Sequence, residues 1–272
     1  MMLRFMGMAA ALVMASQAAA APVPPTPSGP WQVEFADQRC VASRPYTTAS
    51  GPMVLGVEPS PDGEGVRFLV RVEAAAKESL GFAPGKLVVN GRQVADRVLF
   101  WRGGNNGLIA FAEGDKDADP QNLVRLREVR TVALQTKRLS ADLALTGTEK
   151  LAGVLATCNR GLLESWGFAA AEQDRLASWP KMEGRLPITF NDYPASAIKN
   201  GESGEVRTRL TVGADGRVTQ CALRSGSGFA VLDNATCALL QRRARFTPAR
   251  DKEGKPMAAP AFQTVIWMVP GN

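Results

Sequence analysis

The sequence predicts an α+β protein of two parts: a β-rich part closed by a helix, then a smaller carboxy-terminal part that mixes strands and helices. Three observations carry this expectation. Runs of period-two alternation fill residues 31–145, a helical periodicity follows over 148–165, and a hairpin and a helix stand side by side in residues 204–244.

The β-rich part, residues 31–165, begins at "WQVEFADQRCVA", which places Cys40 on the first strand, and continues through "PMVLGVEP", "VRFLVRVE", "KLVVNGRQVADRVLFW", "GLIAFAE", "TVALQT" and "ADLALT". Asn90-Gly91 is a hairpin turn, because both of its positions tolerate positive φ. Asp119-Pro120 opens a helix over "PQNLVRLREVR", with Asp119 capping and Pro120 in the first turn. The closing helix is expected to start at Thr148 as N-cap, and Leu151, Val154, Leu155, Cys158 and Leu162 fall on its inner face.

Residues 166–185 are polar and alanine-rich and read as a linker with a short helix. The part at 186–272 contains "YPASAIKNG" as a brief helix, a hairpin in "GEVRTRLTVGADGRVTQCALRS", a helix over 231–244 and a final strand "APAFQTVIWMV". In the hairpin, Val206, Thr208, Leu210 and Val212 point one way and Arg207 and Arg209 the other. The turn is Ala214-Asp215-Gly216, and its Asp215-Gly216 pair is expected to take positive φ at both positions.

The first 20 residues have one early charge at Arg4, a short apolar run and an A-x-A site at Ala18–Ala20, the layout of a signal peptide cleaved after Ala20. The run is shorter than the roughly 20 apolar residues a membrane span needs, so the mature form is expected to have none. Residues 21–30 are a proline-rich lead-in that cannot form helix or central strand. The formal charge of +6 falls to about +5 without Arg4, too diffuse an excess to argue nucleic-acid binding.

The four cysteines, Cys40, Cys158, Cys221 and Cys237, read as bridges in an oxidising compartment. Sequence alone leaves three pairings open; the division into two parts favours Cys40 with Cys158 and Cys221 with Cys237. With no histidine and no C-x-x-C spacing, no metal site or cofactor is expected, and the Ser-His-Asp and Cys-His nucleophile systems are excluded. "RSGSGFA" lacks the leading glycine of a nucleophile elbow, so Ser227 reads as part of a turn. Arg242, Arg243, Arg245 and Arg250 read first as a solvated helix end, where cations complement the dipole, and second as a contact for an anionic surface. No enzyme is expected.

From Tyr193 onward the residues resemble the TonB carboxy-terminal domain family. The resemblance, over about 186–272, is carried by Tyr193-Pro194, Gly201, Gly204, Val206, Asp215-Gly216-Arg217-Val218, Ser225, Gly228, Leu232-Asp233, Arg243, Arg245-Phe246, Pro248 and Gly254-Lys255-Pro256. It implies two helices packed on one face of a small antiparallel sheet, in the periplasm of a Gram-negative bacterium. It also implies a protein partner, such as a TonB-dependent outer-membrane receptor, held by strand pairing. A cleavable leader stands here in place of the family's anchor, and the ten-residue proline-rich stretch spans only about 30 Å at about 3.1 Å per residue.

The last strand is expected at a sheet edge, so Ala261, Phe262, Gln263, Thr264, Val265, Ile266 and Trp267 are the candidate partner-binding residues. Whichever face covers the helices, Phe262 or Trp267 is expected near solvent. The alternative is a structural envelope protein whose terminal part contacts peptidoglycan or packs on its own amino-terminal part. The partner's identity, the oligomeric state and the role of 31–165 are not legible. Peptide mapping of the exported chain under non-reducing conditions is expected to recover Cys40 joined to Cys158 and Cys221 joined to Cys237; a Cys40–Cys221 peptide would break the two-part division.

Overall fold

The computed structural model describes residues 25–48, 51–73, 81–103, 107–113, 125–137 and 139–269. The leader, the start of the lead-in and the helix start at Asp119-Pro120 lie outside them.

Nine strands form one antiparallel sheet: β1 (Gln32–Ala36), β2 (Arg39–Thr48), β3 (Gly51–Pro59), β4 (Val66–Glu73), β5 (Gly81–Val89), β6 (Arg92–Gly103), β7 (Gly107–Glu113), β8 (Thr131–Thr136) and β9 (Ser140–Ala144), in the order β1-β2-β3-β4-β7-β6-β5-β8-β9. The expected first strand breaks at Asp37-Gln38 into two, so Cys40 sits on the second.

Period-two alternation places Leu55, Val57, Phe68, Val70, Leu87, Val98, Phe100, Leu134 and Leu143 in a single core. The lead-in brings the ends of this sheet together. Ser28 N donates to Pro45 O, Ala144 N to Pro25 O, and the Tyr46 hydroxyl to Ala144 O at 2.8 Å, so β2 and β9 meet and the sheet closes into a barrel-like form. A prolyl residue suits this place, where the chain runs along an edge and needs few ladder bonds.

The closing helix α1 (Thr148–Ser165) adds Leu151, Ala152, Leu155, Cys158 and Leu162 to the same core, and the Cys40–Cys158 bridge ties it to β2. Two details of the helix differ from expectation. Val154 is 42% exposed, because Ala152 and Leu163 turn the buried stripe away from it. Thr148 is not the cap: the buried hydroxyl donates to Arg127 O and accepts from Arg130, and Gly147, at φ 73°, takes the N-cap position.

Two hairpin turns show different solutions to one problem. Asn90 and Gly91 both have positive φ (49° and 78°), and the Asn90 side chain is held by bonds from the Arg130 and Thr131 amides. At the second turn only Gly216 is left-handed, at φ 76°. Its amide donates to Gly213 O, Gly213 N donates to Arg217 O, and Asp215 keeps an ordinary φ while its carboxylate accepts from Arg217 N. The loop is the expected Ala214-Asp215-Gly216, but as a glycine bulge turn it needs positive φ at Gly216 alone and not at both positions.

The expected linker is folded against the carboxy-terminal part. It comprises α2 (Ala170–Arg175), β10 (Leu176–Ser178) and β11 (Lys181–Met182). After it come α3 (Ala195–Lys199), β12 (Gly204–Val212), β13 (Val218–Ser225), α4 (Ala230–Arg243), β14 (Phe246–Thr247), β15 (Ala249–Asp251), β16 (Pro256–Met257) and β17 (Ala259–Trp267). β10 pairs with β15 and β11 with β14, while Phe168 packs with Leu163, Ala249 and Ala259. Short polar strands of this kind lack the alternating apolar signal that marks a strand in sequence.

Gly216 has no room for a side chain: a Cβ there would sit 2.0 Å from Phe246 O, and the Gly216 carbonyl accepts from Phe246 N. Gly216→Ala is expected to lower stability in denaturant titration by at least 2 kcal/mol, the sum of a left-handed penalty of roughly 1–2 kcal/mol and the displaced β14 contact.

Candidate functional site: a sheet edge and the charged face beside it

The carboxy-terminal part is built on a three-stranded antiparallel sheet, β13-β12-β17. β12 is central, and its register with β17 runs from Gly204 opposite Trp267 to Val212 opposite Ala259. β17 is therefore an edge strand, with no strand on its other side among the described residues.

One face of the sheet is apolar. Val206, Leu210 and Val212 of β12 and Ala261, Val265 and Trp267 of β17 pack on Ala197 of α3 and on Leu232, Leu239 and Leu240 of α4. Both helices lie on this face. Cys221 on β13 is bridged to Cys237 on α4, which fixes helix to sheet. Trp267 is an anchor of this core, only 2% exposed. Its Nε1 donates to Thr236 Oγ1 at 2.8 Å, and its ring meets Tyr193 edge-on at 5.1 Å.

Phe262, on the opposite face, is half-buried against Trp166, with ring centroids 5.9 Å apart. Neither ring is left bare, contrary to the sequence expectation, because the second face of the sheet is also covered. Gln263, Thr264 and Ile266 are half-buried, while Ala261 and Val265 are buried.

That second face carries Glu205, Arg207 and Arg209 of β12 and Arg224 of β13, and it lies against the outside of the barrel. There Glu58 of β3 and Arg67 of β4 stand directly opposite one another in the ladder. Arg67 Nη1 donates to Glu205 Oε1 at 3.0 Å, Arg207 Nη1 lies 2.5 Å from Glu58 Oε1, and Arg207 Nε lies 3.7 Å from Glu205. Arg209 donates to Trp166 O, and its guanidinium lies over the Trp166 ring. Burial works against the charge of Glu58, but Arg207, Arg67 and Arg224 outweigh it and hold this carboxyl below the usual range.

The loop between β13 and α4 is structural. Asp233 accepts from Ser227 N and Ser227 Oγ, both at 2.8 Å, so the Ser227 hydroxyl is committed to shaping the turn. Three of the four arginines in the run are similarly occupied. Arg243 pairs with Asp192 at 2.8 Å, Arg245 donates to Ala244 O, and Arg250 donates to Gly254 O. The Arg243 contact, with bonds from Thr189, holds Asp192 down to about 2. Among the described residues no three of Cys, Asp or Glu gather as a metal-binding group, and no helix is long and apolar enough to cross a membrane.

Sequence reading located the edge strand but not Glu58, Arg67 or Arg224. The one available signal was an acidic and a basic residue on the outward positions of neighbouring strands, and that pattern ordinarily marks a solvated face. Removing one partner of a buried pair strands the other. Glu58→Ala is expected to cost about 3–5 kcal/mol in denaturant titration, and Glu58→Leu with Arg207→Met together less than the sum of the single changes. Since the folded carboxyl of Glu58 titrates below its unfolded value, its stabilising effect is present above about pH 4.5 and is lost as pH falls through the lower folded value. Asp192 adds a loss between about pH 4 and pH 2. Acid-unfolding curves should therefore show a shallower decline for Glu58→Ala than for the unaltered chain.

Comparison with known proteins bears on residues 165–267, which match the family described as Gram-negative bacterial TonB protein C-terminal. The match starts well before the resemblance at 186, and it takes in α2, β10 and β11, in keeping with their pairing to β14 and β15. Protein TonB of Pseudomonas putida is 34% identical over 73 residues, 27% of this chain and 30% of the relative. The chain thus spans less than a third of the length of that relative. The helices on one face of an antiparallel sheet, the glycine turn at Gly216 and the family match agree: residues 165–267 are similar to the TonB carboxy-terminal domain family.

Proposed function

We propose that this protein is a TonB-like protein-binding module of the Gram-negative periplasm. It takes an extended partner segment, such as a stretch of an outer-membrane receptor, onto the free side of β17 by β-augmentation. The observation that carries this reading is the position of β17: paired to β12 along its length, at the sheet edge, with both faces of the sheet covered. Faces so covered leave the unpaired backbone N–H and C=O groups of Ala261–Trp267 as the accessible recognition element. Pro260, which has no N–H, marks the amino-terminal limit of pairing. The family supports a binding role and not catalysis.

A second reading is favoured by one feature. The charged face of the three-stranded sheet is seated on the barrel through Arg67–Glu205 and Arg207–Glu58, as a purely structural role for the carboxy-terminal part would require. The contact uses the face and leaves the edge, so it is compatible with strand recognition.

Amide hydrogen exchange of the full mature chain, with and without a peptide bearing a receptor's TonB box, separates the two. Strand addition should slow alternate amides of 261–267 by tenfold or more and leave those of β13 unchanged. Peptide binding with unchanged exchange along β17 would place the partner elsewhere.

A further inference from the structure

Between the barrel and the three-stranded sheet lies a cleft of about 430 Å³, within the size range of small-molecule sites. Leu69 of β4 and Ile109 of β7 supply apolar lining. Four arginines, Arg39, Arg67, Arg207 and Arg224, and three carboxylates, Asp37, Glu58 and Glu205, also line it.

Of the four arginines, Arg224 is the one without an ion pair among the described residues, since Arg39 lies 3.8 Å from Glu34, and Glu58 and Glu205 are taken up by Arg207 and Arg67. Arg224 is only 8% exposed. Its Nη2 donates to Gln38 O at 2.7 Å, its Nε has no hydrogen-bond partner, and its guanidinium rests 5.2 Å from the Trp166 ring and 5.5 Å from the Phe262 ring. Burial, reinforced by the neighbouring Arg207, brings this group down to about 9, so it stays charged at neutral pH. A buried charge is ordinarily paired, and this one is held by aromatic rings and one carbonyl at the wall of an open cleft.

We propose that the cleft binds a small organic monocarboxylate, its carboxylate on Arg224 and its apolar chain along Leu69 and Ile109. A guanidinium donor makes a charge-assisted hydrogen bond to a carboxylate oxygen. A single negative charge matches the one guanidinium without an ion pair, whereas a phosphate dianion would add repulsion beside Glu58 and Glu205. The site uses the sheet face and does not rest on strand recognition at β17.

Titration calorimetry of the full mature chain at low ionic strength, with hexanoate, hexanamide and inorganic phosphate, tests the assignment. Hexanoate should bind one to one, and hexanamide and phosphate at least tenfold more weakly. Arg224→Met, checked by circular dichroism, should weaken hexanoate by tenfold or more, the scale of one charged hydrogen bond. Absence of hexanoate binding, equal binding of hexanamide or phosphate, or undiminished binding in a folded Arg224→Met overturns the proposal. The hexanoate and hexanamide comparison uses the unaltered protein and decides even where the variant does not fold.

Discussion

β12 is the constraint on which the carboxy-terminal part depends. It is paired on both sides, by β13 and β17, buried on one face and largely covered on the other. Val206, Leu210 and Val212 face the helices, while Glu205, Arg207 and Arg209 face the barrel and Trp166. A one-residue slip of this strand would drive arginines into an apolar core and valines into a charged interface. Its register is thus specified from two directions, and Gly204, where a Cβ would meet the Ser227 backbone oxygen at 2.7 Å, closes the remaining freedom at its start.

The charges on the outer face serve orientation more than stability. Desolvating several arginines and carboxylates is costly, and buried pairs recover that cost only with good geometry. Here the pairs alternate in sign across two sheets: Glu58 opposite Arg67 on the barrel, Glu205 beside Arg207 on β12. Such a pattern accepts one seating of the two sheets and penalises others by like-charge contact. Trp166, at the end of α1, fills the remaining space by packing on Phe262 and lying under Arg209 and Arg224.

The two disulfides do related work in the two parts. Each joins a strand to the helix that covers it, β2 to α1 and β13 to α4. Both constrain the helix-to-sheet layer and leave the edge of β17 untouched, so the strand proposed to meet a partner belongs to a braced scaffold while keeping one side unpaired.

The main strand segments along the chain, the α1 and α4 helices and the edge position of β17 were legible in the sequence, and the division into two parts favoured the observed cysteine pairing among the three possible. They rest on local rules: period-two alternation, helical spacing, turn glycines and loop closure. The family resemblance was legible for the same reason, since its motifs mark turns such as Gly216 and loop anchors such as Asp233. What only the tertiary structure decided is which surfaces meet. An alternating strand is ordinarily wet on one face, yet Arg207 of β12 meets Glu58 and Glu205 meets Arg67, partners about 140–150 residues away in the chain. The polar segment at 170–182 looked like a linker, yet it pairs with β14 and β15. Sequence patterns record the preference of each residue for its neighbours in the chain; they do not record which distant charge will neutralise it, because that depends on the seating of one sheet upon another.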